Sequence, residues 1–471
     1  MLKTLINVFK IEELRNKILF TLGMLLVFRI GHWIPLPGVN QEKLQELFDN
    51  AAKSGSAFGA IANYVTMFSG GSLSQSTIFG LGIMPYITAG IIFQLLASFL
   101  PQLKAIQEEG PTGRQKIMEY TRYATVALCI VQGLGWLAYL TNSELIYPQW
   151  LGNPLWWVMA VSALTAGTVF LMWLGEQIDK HGIGSGASMI IMAGILANIP
   201  TAIRMVVANF SATGETGKMG WMGLITLSAG FVGVIAAAVL MQVAQRRIPV
   251  QQAKHTRGRK VYGGQKSYLP MRINHGGVMP IIFASSLMIF PVVIFTQLRE
   301  WAQAAVNTGG GNQTLLSIAR FLADNFNHSA FLYILLYIAM IYFFSYFWIT
   351  VQFNPEDMSK QLKEHGSFIP GLRPGPRTAE YLETVITRIT FVGAAFLAIV
   401  AVLPTVVNSA LNVDMVVTQF LGGTGLLIVV SVCMDFLQRV EANLMMRNYQ
   451  GFLGGEDGGG GSTRLGGHAP R

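Results

Sequence analysis

Side chains able to move protons or ions are scarce in the apolar parts of this sequence. Ionisable residues inside membrane segments usually mark a path for ions or protons. Here Arg29 and His32 lie near one end of an apolar segment, and Glu176 and Asp435 lie near the ends of two others. Because no such residue lies in the middle of an apolar segment, the pattern weakens a coupled transporter without excluding that class.

Motifs of enzyme catalysis are absent as well. The sequence contains neither a GxxxxGK[ST] phosphate loop nor an HExxH zinc pair. The glycine run GIGSG at 182–186 matches a nucleotide loop only weakly, because no predicted strand precedes it, and a tight turn is the better interpretation. Cys129 and Cys433 lie in apolar runs, as small core residues do. We therefore expect neither an enzyme nor a bound cofactor.

Two long predicted segments stand out, and the first of them is strongly basic. Residues 245–273, within the predicted loop 244–276, hold eight basic residues and no acidic one, and the loop 353–388 is the second segment. Such segments commonly set membrane topology and contact lipid headgroups. Arginine clusters also suit RNA phosphates or acidic protein surfaces. A docking surface for a large partner is favoured by aromatic residues and fixed turns that a charge anchor does not need: Tyr262, Tyr268, Phe368, Pro370-Gly371 and Arg373-Pro374-Gly375.

The elements that must position these residues are those of a membrane protein. Of 471 residues, 52% are hydrophobic and 12% are charged, whereas soluble domains carry about 25% charged residues. The predicted fold class is therefore an all-α polytopic membrane protein. Apolar windows long enough to cross a bilayer predict ten spans, at 18–36, 77–100, 122–141, 154–174, 186–207, 219–243, 277–297, 331–352, 387–406 and 417–437.

The two ends of the chain differ from these spans. Residues 1–17 have a short apolar patch that contains acids, which is typical of an interfacial helix and not of a signal peptide. Residues 451–471 are glycine-rich, which predicts a flexible tail. The basic residues of the interfacial helix are Lys3, Lys10, Arg15 and Lys17.

The distribution of charge predicts the orientation of the spans. Most of the 33 lysine and arginine residues fall on one side of them, which the positive-inside rule assigns to the cytoplasm together with both termini. The ten spans divide into halves at 18–209 and 210–450. Because each half has an odd number of spans, the two halves would have to be inverted if they are structural repeats.

The stretch Met67–Leu100 organises the first half. No charged residue occurs between Ser54 and Leu103, and this charge-free run is too long for one membrane span. Glycine and proline break the run, so it predicts a half-inserted piece at 64–76 followed by a span at 77–100. A kinked helix and a segment that lines a cavity both fit this pattern. The breaks are Gly70, Gly71, Gly80, Gly82, Pro85 and Gly90.

The sequence resembles the SecY family of protein-conducting channels from about Lys10 to Tyr449. The most specific matching pieces, in order, are IPLPGV (34–39), MFSGGSLSQSTIFGLGIMPYI (67–87), GRQKIMEYTRY (113–123), GIGSGASMII (182–191), RGRKVY (257–262), LPMRIN (269–274), GVMPIIFASS (277–286), FNPEDMSKQLK (353–363), IPGLRPG (369–375) and GGTGLLIVV (422–430). The resemblance implies ten helices in two inverted halves that open toward lipid.

The resemblance also implies the residues that seal the channel. A plug at about 64–76 would close the external funnel, with Phe68, Gly70, Gly71 and Leu73 in it. An aliphatic ring would line the narrowest point. Ala187 departs from the isoleucine found in well-known bacterial members, which would loosen the ring or leave sealing more dependent on the plug. The ring positions carried over by motif are Ile83, Ile87, Ala187, Ile191, Ile282 and Ile428.

A lateral gate between the second and seventh spans is implied next, with Thr88, Gln94, Asn274 and Val278 near it. Gln94 fits two roles, a latch across the closed gate or a cap on a helix kink. The docking residues carried over from the family are Arg257, Arg259, Lys260 and Arg373. Lys260 often is arginine in the family, and lysine keeps the charge but loses the bidentate fork.

The resemblance implies a passive, gated channel for unfolded polypeptide, driven by the SecA ATPase or by the ribosome. The expected partners are SecE, SecG, SecA, the ribosome, signal sequences, nascent chains and the phospholipid bilayer. Because no transit peptide is evident, we expect a bacterial plasma membrane. The competing classes are a secondary transporter or small-solute channel, and an integral-membrane docking scaffold.

Overall fold

The fold is helical, with one small sheet at one end of the helices. The computed structural model describes residues 11–44, 46, 76–142, 145–150, 152–208, 210, 220–252, 255–257, 260–262, 266–307, 313–326, 330–411 and 424–453.

Six helices make up the described part of the first half. Helix α3 is short and follows α2 after a sharp bend of 106°, at Pro101, whose ring cannot continue the preceding helix. The helices are α1 (Glu12–Gly31), α2 (Met84–Phe99), α3 (Pro101–Glu108), α4 (Pro111–Asn142), α5 (Pro154–His181) and α6 (Gly186–Ala208).

The second half has seven described helices and all of the strands. Helix α9 is amphipathic and connects α8 to α10 at the end opposite to the strands. The helices are α7 (Trp221–Val243), α8 (Met279–Asn307), α9 (Gln313–Asn325), α10 (Phe331–Gln352), α11 (Pro355–Glu364), α12 (Pro376–Leu411) and α13 (Thr424–Leu453). The strands are β1 (Gln245–Gln252), β2 (His255–Arg257), β3 (Lys260–Tyr262), β4 (Lys266–Arg272) and β5 (Ser367–Phe368).

Each of the ten predicted spans overlaps one of these helices. By length and apolar character, six of the described helices are able to cross a membrane, or seven if α2 and α3 form one bent span. Helices α1, α8 and α13 occupy the other predicted spans without meeting that criterion over their described residues. Of the last predicted span, residues 417–423 lie outside the described residues.

Several boundaries differ from the predicted ones. Helix α1 runs without a break from Glu12 into the first predicted span. The second span starts as a helix only at Met84, because residues 76–83 form turns. Helix α13 continues to Leu453, past the predicted start of the tail. Residues 1–10 and 454–471 lie outside the described residues.

The two predicted cytoplasmic loops contain strands, which the all-helical prediction did not include. Strand β1 pairs antiparallel with β4, in a register that sets Gln245 opposite Arg272. It also pairs antiparallel with β5, through Gln251 and Phe368. The three-stranded sheet β4-β1-β5, which we call the basic sheet after the arginines and lysines of β1 and β4, therefore joins both predicted loops in one unit. The side chains of Ile248 in β1 and Met271 in β4 are buried and belong to one apolar cluster.

The two largest buried clusters of the described residues meet in the helical part. The first contains residues of α1, α5 and α6 together with Ile282 of α8 and Ile428 of α13. The second is built from α8, α10, α12 and α13. Val278 and Met279, at the start of α8, pack against both clusters, so this helix lies where the two clusters meet.

Candidate functional site

Four of the six predicted ring positions lie in the first buried cluster and the other two pack against it, and we call the six positions the apolar ring. The structure brings them together from two helices of each half, α2, α6, α8 and α13. The exposed fraction is 1% for Ile83, 4% for Ile191, 3% for Ile282 and 1% for Ile428. Ile87 and Ala187 are half-buried and pack against the same cluster. The ring positions are, in full, Ile83, Ile87, Ala187, Ile191, Ile282 and Ile428.

The turn before α6 fixes where Ala187 and Ile191 lie. The backbone N–H of Gly186 donates to Asp179 Oδ1 over 2.7 Å. A Cβ on Gly186 would lie 2.0 Å from the carbonyl oxygen of Gly175, so only glycine permits this close approach of α6 to α5. The GIGSG run is thus a tight turn, which agrees with the interpretation favoured from the sequence.

The ring has no polar or titratable side chain, so its chemistry is that of an apolar constriction. Tightly packed aliphatic side chains exclude water and ions, and a narrow apolar passage can close by dewetting without charged groups. Separating the side chains of α2 and α6 from those of α8 and α13 would open such a constriction. The arrangement therefore supports gating, and it offers no group for bond-making chemistry.

Residues 76–83, which we call the entry segment, lead into α2. Three hydrogen bonds join this segment to neighbouring parts of the fold. Ser76 has a φ of 43°, and its carbonyl accepts from Leu36 N–H over 2.8 Å. Ile78 N–H donates to the carbonyl of Ile34 over 3.0 Å. The Trp136 indole N–H donates to Ser76 Oγ over 3.4 Å. The segment before α2 is therefore fixed to the residues that follow α1 and to Trp136 of α4.

Two glycines on neighbouring helices allow this close packing. A Cβ on Gly31 of α1 would lie 2.0 Å from the Phe79 ring, and a Cβ on Gly167 of α5 would lie 2.2 Å from the carbonyl oxygen of Ile78. The second contact is with backbone, which cannot rotate away as a side chain can. The predicted plug residues, by contrast, lie outside the described residues: Phe68, Gly70, Gly71 and Leu73.

Apolar side chains lie near the predicted lateral gate. Ile91 of α2 packs against the second buried cluster, which belongs to the second half. Val278, which directly precedes α8, is half-buried and packs against both clusters. Packing of aliphatic side chains therefore connects the two halves here.

The predicted polar gate residues are satisfied locally or lie half-buried. Thr88 Oγ1 donates to the Met84 carbonyl over 2.9 Å, within α2. Asn274 is 9% exposed, and its Nδ2 donates to the Gly277 carbonyl over 3.0 Å, at the turn into α8. Gln94 is half-buried in α2, and no hydrogen bond joins it to another described residue. The two roles considered for Gln94, a latch across the closed gate and a cap on a helix kink, stay predictions.

The predicted docking residues lie on or beside the basic sheet. Arg257 and Lys260 are backbone partners in the hairpin β2–β3, and Arg259, between them, lies outside the described residues. Arg373 is exposed in the turn before α12. Its carbonyl accepts from Thr378 Oγ1 over 2.9 Å, so the turn is held while the guanidinium stays free to meet a partner.

His275 lies between the basic sheet and α8. Its ring contacts Phe353 edge-on at a centroid distance of 4.4 Å. Burial lowers the pKa of His275, and the positive charge of Arg272 lowers this pKa further. The histidine therefore favours its neutral form in the folded protein.

The ion pair between Arg122 and Glu176 was not predicted from the sequence. Arg122 of α4 and Glu176 of α5 form a bidentate pair, with Nε–Oε1 at 2.7 Å and Nη2–Oε2 at 2.8 Å. The Glu176 side chain is 12% exposed and that of Arg122 is 39% exposed. Glu176 had been noted alone near the end of its span. A signal was present, because Arg122 lies at the corresponding end of the preceding predicted span.

The family model described as SecY matches residues 77–437 of the chain. A Thermotoga maritima protein named protein translocase subunit SecY is 39% identical over 449 residues, which cover 95% of this chain and 96% of that protein. The Escherichia coli protein of the same name is 40% identical over 446 residues, and the match covers 94% of each chain.

Solved structures show the same fold at lower identity. One described as "The structure of a protein conducting channel" has a TM-score of 0.55 at 20% identity, covering 91% of this chain and 92% of that chain. Sec61 in the canine ribosome-channel complex from the endoplasmic reticulum has a TM-score of 0.52 at 19% identity, with the same coverage. These likenesses confirm the predicted all-α polytopic membrane fold.

Proposed function

Because the chain belongs to the SecY family, we propose that it conducts unfolded secretory polypeptides across the plasma membrane and releases membrane-protein helices sideways into lipid. The chain is a multi-pass membrane protein and a protein-conducting channel, and it belongs to a family of channel subunits that are not enzymes. The single observation that carries the site assignment is the convergence of six motif positions from four helices on one buried apolar cluster.

In this proposal the apolar ring is the seal of the closed channel. Its support is the burial of four of its isoleucines and the lack of any charged member. An aliphatic ring adapts to many side chains that pass through it, because dispersion contacts have no directional requirement. Ala187 has the smallest side chain of the six, so we expect the seal to be weakest at its position.

The plug and the gate complete the proposed closed state. Residues 64–76, with Phe68, Gly70, Gly71 and Leu73 among them, act as the plug, and the entry segment is its fixed attachment to the helices. The seam between α2 and α8 opens toward lipid, with Thr88, Gln94, Asn274 and Val278 beside it. The halves at 18–209 and 210–450 act as inverted units that hinge apart at this seam.

The basic sheet is proposed as the docking face for an external energy source. We place it, with both termini, in the cytoplasm of a bacterial cell, because of the positive-inside rule. Arg257, Arg259, Lys260 and Arg373 contact the SecA motor or phosphates of ribosomal RNA. Support comes from the exposure of Arg373 and from the pairing of β1 with β5, which joins the two segments. SecE and SecG complete the membrane complex.

The proposal is tested with the full chain reconstituted with SecE and SecG in proteoliposomes. We expect uptake of a secretory precursor that depends on SecA and ATP. No precursor uptake, together with saturable transport of a small solute, would contradict the channel and favour the competing transporter class. Binding of SecA or ribosomes without any uptake would instead identify a docking scaffold.

A further inference from the structure

Helix α9 and the end of α8 form an outer hairpin that has no part in the proposed channel. The hairpin comprises residues 298–325, without 308–312, which lie outside the described residues. Its two helices pack through a small cluster of their own, with Ala302 at 1% and Ala319 at 0% exposure. Leu316 of α9 completes this cluster and is also buried.

The side of α9 that faces away from α8 is apolar and exposed. Leu315, Ile318 and Phe321 are spaced three residues apart, so they are neighbours on one side of the helix. Their exposed fractions are 41%, 57% and 65%. Trp301 of α8 adds a further apolar side chain that is 65% exposed. A soluble environment would leave this whole surface in water, at a cost that grows with its area.

The hairpin lies at the level where a bilayer meets water. Helix α8 has 29 residues, about 43 Å at 1.5 Å per residue, whereas a hydrocarbon core is about 30 Å thick. Its last turns, which carry Trp301, therefore extend beyond the hydrocarbon. Helix α9 is then followed by α10, which returns through the membrane. Tryptophan at such a level is typical of the membrane interface.

Continuity with the lipid-facing surface identifies the occupant of this face. Ile294 of α8 is 59% exposed, and Phe331 and Leu335 of α10 are 79% and 53% exposed. These exposed apolar side chains belong to predicted membrane spans, and the exposed face of α9 follows them along the chain. Arg320 and Arg299 are held at the polar side, by Gln303 over 3.2 Å and by Asp324 over 3.9 Å.

We propose that α9 lies in the headgroup boundary of the leaflet opposite to the basic sheet, with Leu315, Ile318 and Phe321 inserted into lipid. Its apolar face enters the bilayer by about 5–10 Å, as amphipathic interfacial helices do. Trp301 lies beside it at the same depth. The proposal rests on the membrane fold alone, so it stands whether or not the chain conducts polypeptides.

The test uses full-length chains with one cysteine each, at Ile318, Phe321 or Leu315, after replacement of Cys129 and Cys433. All three positions are exposed, so the substitutions leave the core intact. The matched control is a cysteine at Gln313, which is exposed on the polar side of the same helix. Each chain carries an NBD label and is reconstituted in phosphatidylethanolamine and phosphatidylglycerol vesicles. Lipids with a nitroxide near the headgroup or near the acyl end serve as quenchers, and iodide reports exposure to water.

We expect the labels at 315, 318 and 321 to lose iodide quenching and to be quenched more by the shallow nitroxide than by the deep one. The label at 313 should keep iodide quenching. Equal iodide quenching at all four positions would overturn the proposal. Protection from both iodide and lipid nitroxide would also overturn it, because a protein partner or a second copy would then cover the face. Stronger quenching by the deep nitroxide would place α9 in the hydrocarbon and overturn it as well.

Discussion

The apolar ring and the basic sheet lie in different parts of the molecule and depend on opposite physics. Ile83, Ile191, Ile282 and Ile428 are less than 5% exposed and interact only through packing. Arg373 projects into solvent from a turn whose hydrogen bonds involve its backbone and not its guanidinium. The proposed seal requires that polar groups be absent from the apolar ring. The proposed docking face requires that charged groups be exposed on and beside the basic sheet. Substitutions should therefore separate a seal from a docking face.

We expect the largest effect on precursor uptake from Arg373→Glu, which changes the proposed docking face. We expect SecA-driven precursor uptake to be lost, because the reversed charge repels an acidic partner surface while the turn keeps its backbone hydrogen bonds. The measurement is ATP-dependent uptake by proteoliposomes. Arg377→Glu, an equally exposed change in the first turn of α12, is the matched control. Retained uptake in the first variant, or equal loss in both, would show that position 373 has no special role.

Ile282→Asn tests the ring side of the comparison. Burying an amide without a partner costs about 1–3 kcal/mol, which shifts the ratio of open to closed channels by about 5- to 150-fold. We expect ion conductance through the idle channel to rise while SecA binding stays unchanged. The control is Leu287→Asn on the same helix, where the side chain is 45% exposed. If conductance stays at the level of the unaltered chain, Ile282 is not part of the seal.

The substitution Gly167→Ala tests whether the position of the apolar ring depends on close packing of the entry segment. The new Cβ would meet the Ile78 carbonyl oxygen at 2.2 Å, and we expect a loss of about 1–3 kcal/mol in stability. Gly133→Ala is the control, because its Cβ would lie 3.8 Å from Leu164 Cδ1, an ordinary contact. Thermal unfolding of the purified complex measures both. A similar unfolding temperature for the two variants would argue against a fixed entry segment.

The smallest effect concerns His275 beside the basic sheet. Its pKa in the folded protein lies below the ordinary value of 6.5, so the unfolded chain binds the proton first as the pH falls. Stability should therefore decrease as the pH drops through 6.5 toward the lower folded pKa. His275→Gln should remove that part of the decrease, measured as the unfolding temperature between about pH 7 and pH 5. The exposed His365, replaced in the same way, is the control.

The helical part of the fold was predictable from the sequence because charge-free apolar windows are a strong signal. The ring was not predictable from residue type, since an isoleucine in a membrane helix usually only packs. Ile83 and Ile428 are 345 positions apart in sequence, and only the tertiary fold or a family motif can bring them to one cluster. Ile83 immediately precedes α2 and is buried more fully than Ile87, which lies four residues later within the helix.

The strands escaped prediction for a different reason. In QRRIPVQQ (245–252) only Ile248 and Val250 alternate inward, and the surrounding charge made the segment look like a loop. Its partner β5 has two residues and lies more than a hundred positions later. The Arg122–Glu176 pair likewise joins distant positions on neighbouring helices. Such pairings depend on tertiary contacts that no local pattern encodes.

The pairing of β1 with both β4 and β5 has a mechanical consequence. A force applied at the turn that carries Arg373 is transmitted through β5 to β1, and from there across the ladder to β4. Only six residues, 273–278, separate the end of β4 from the start of α8. Ile273 N–H is tied to the Ala244 carbonyl over 3.0 Å, which limits the slack in that connection. A force that acts on the basic sheet would therefore reach the helix that contributes Ile282 to the apolar ring.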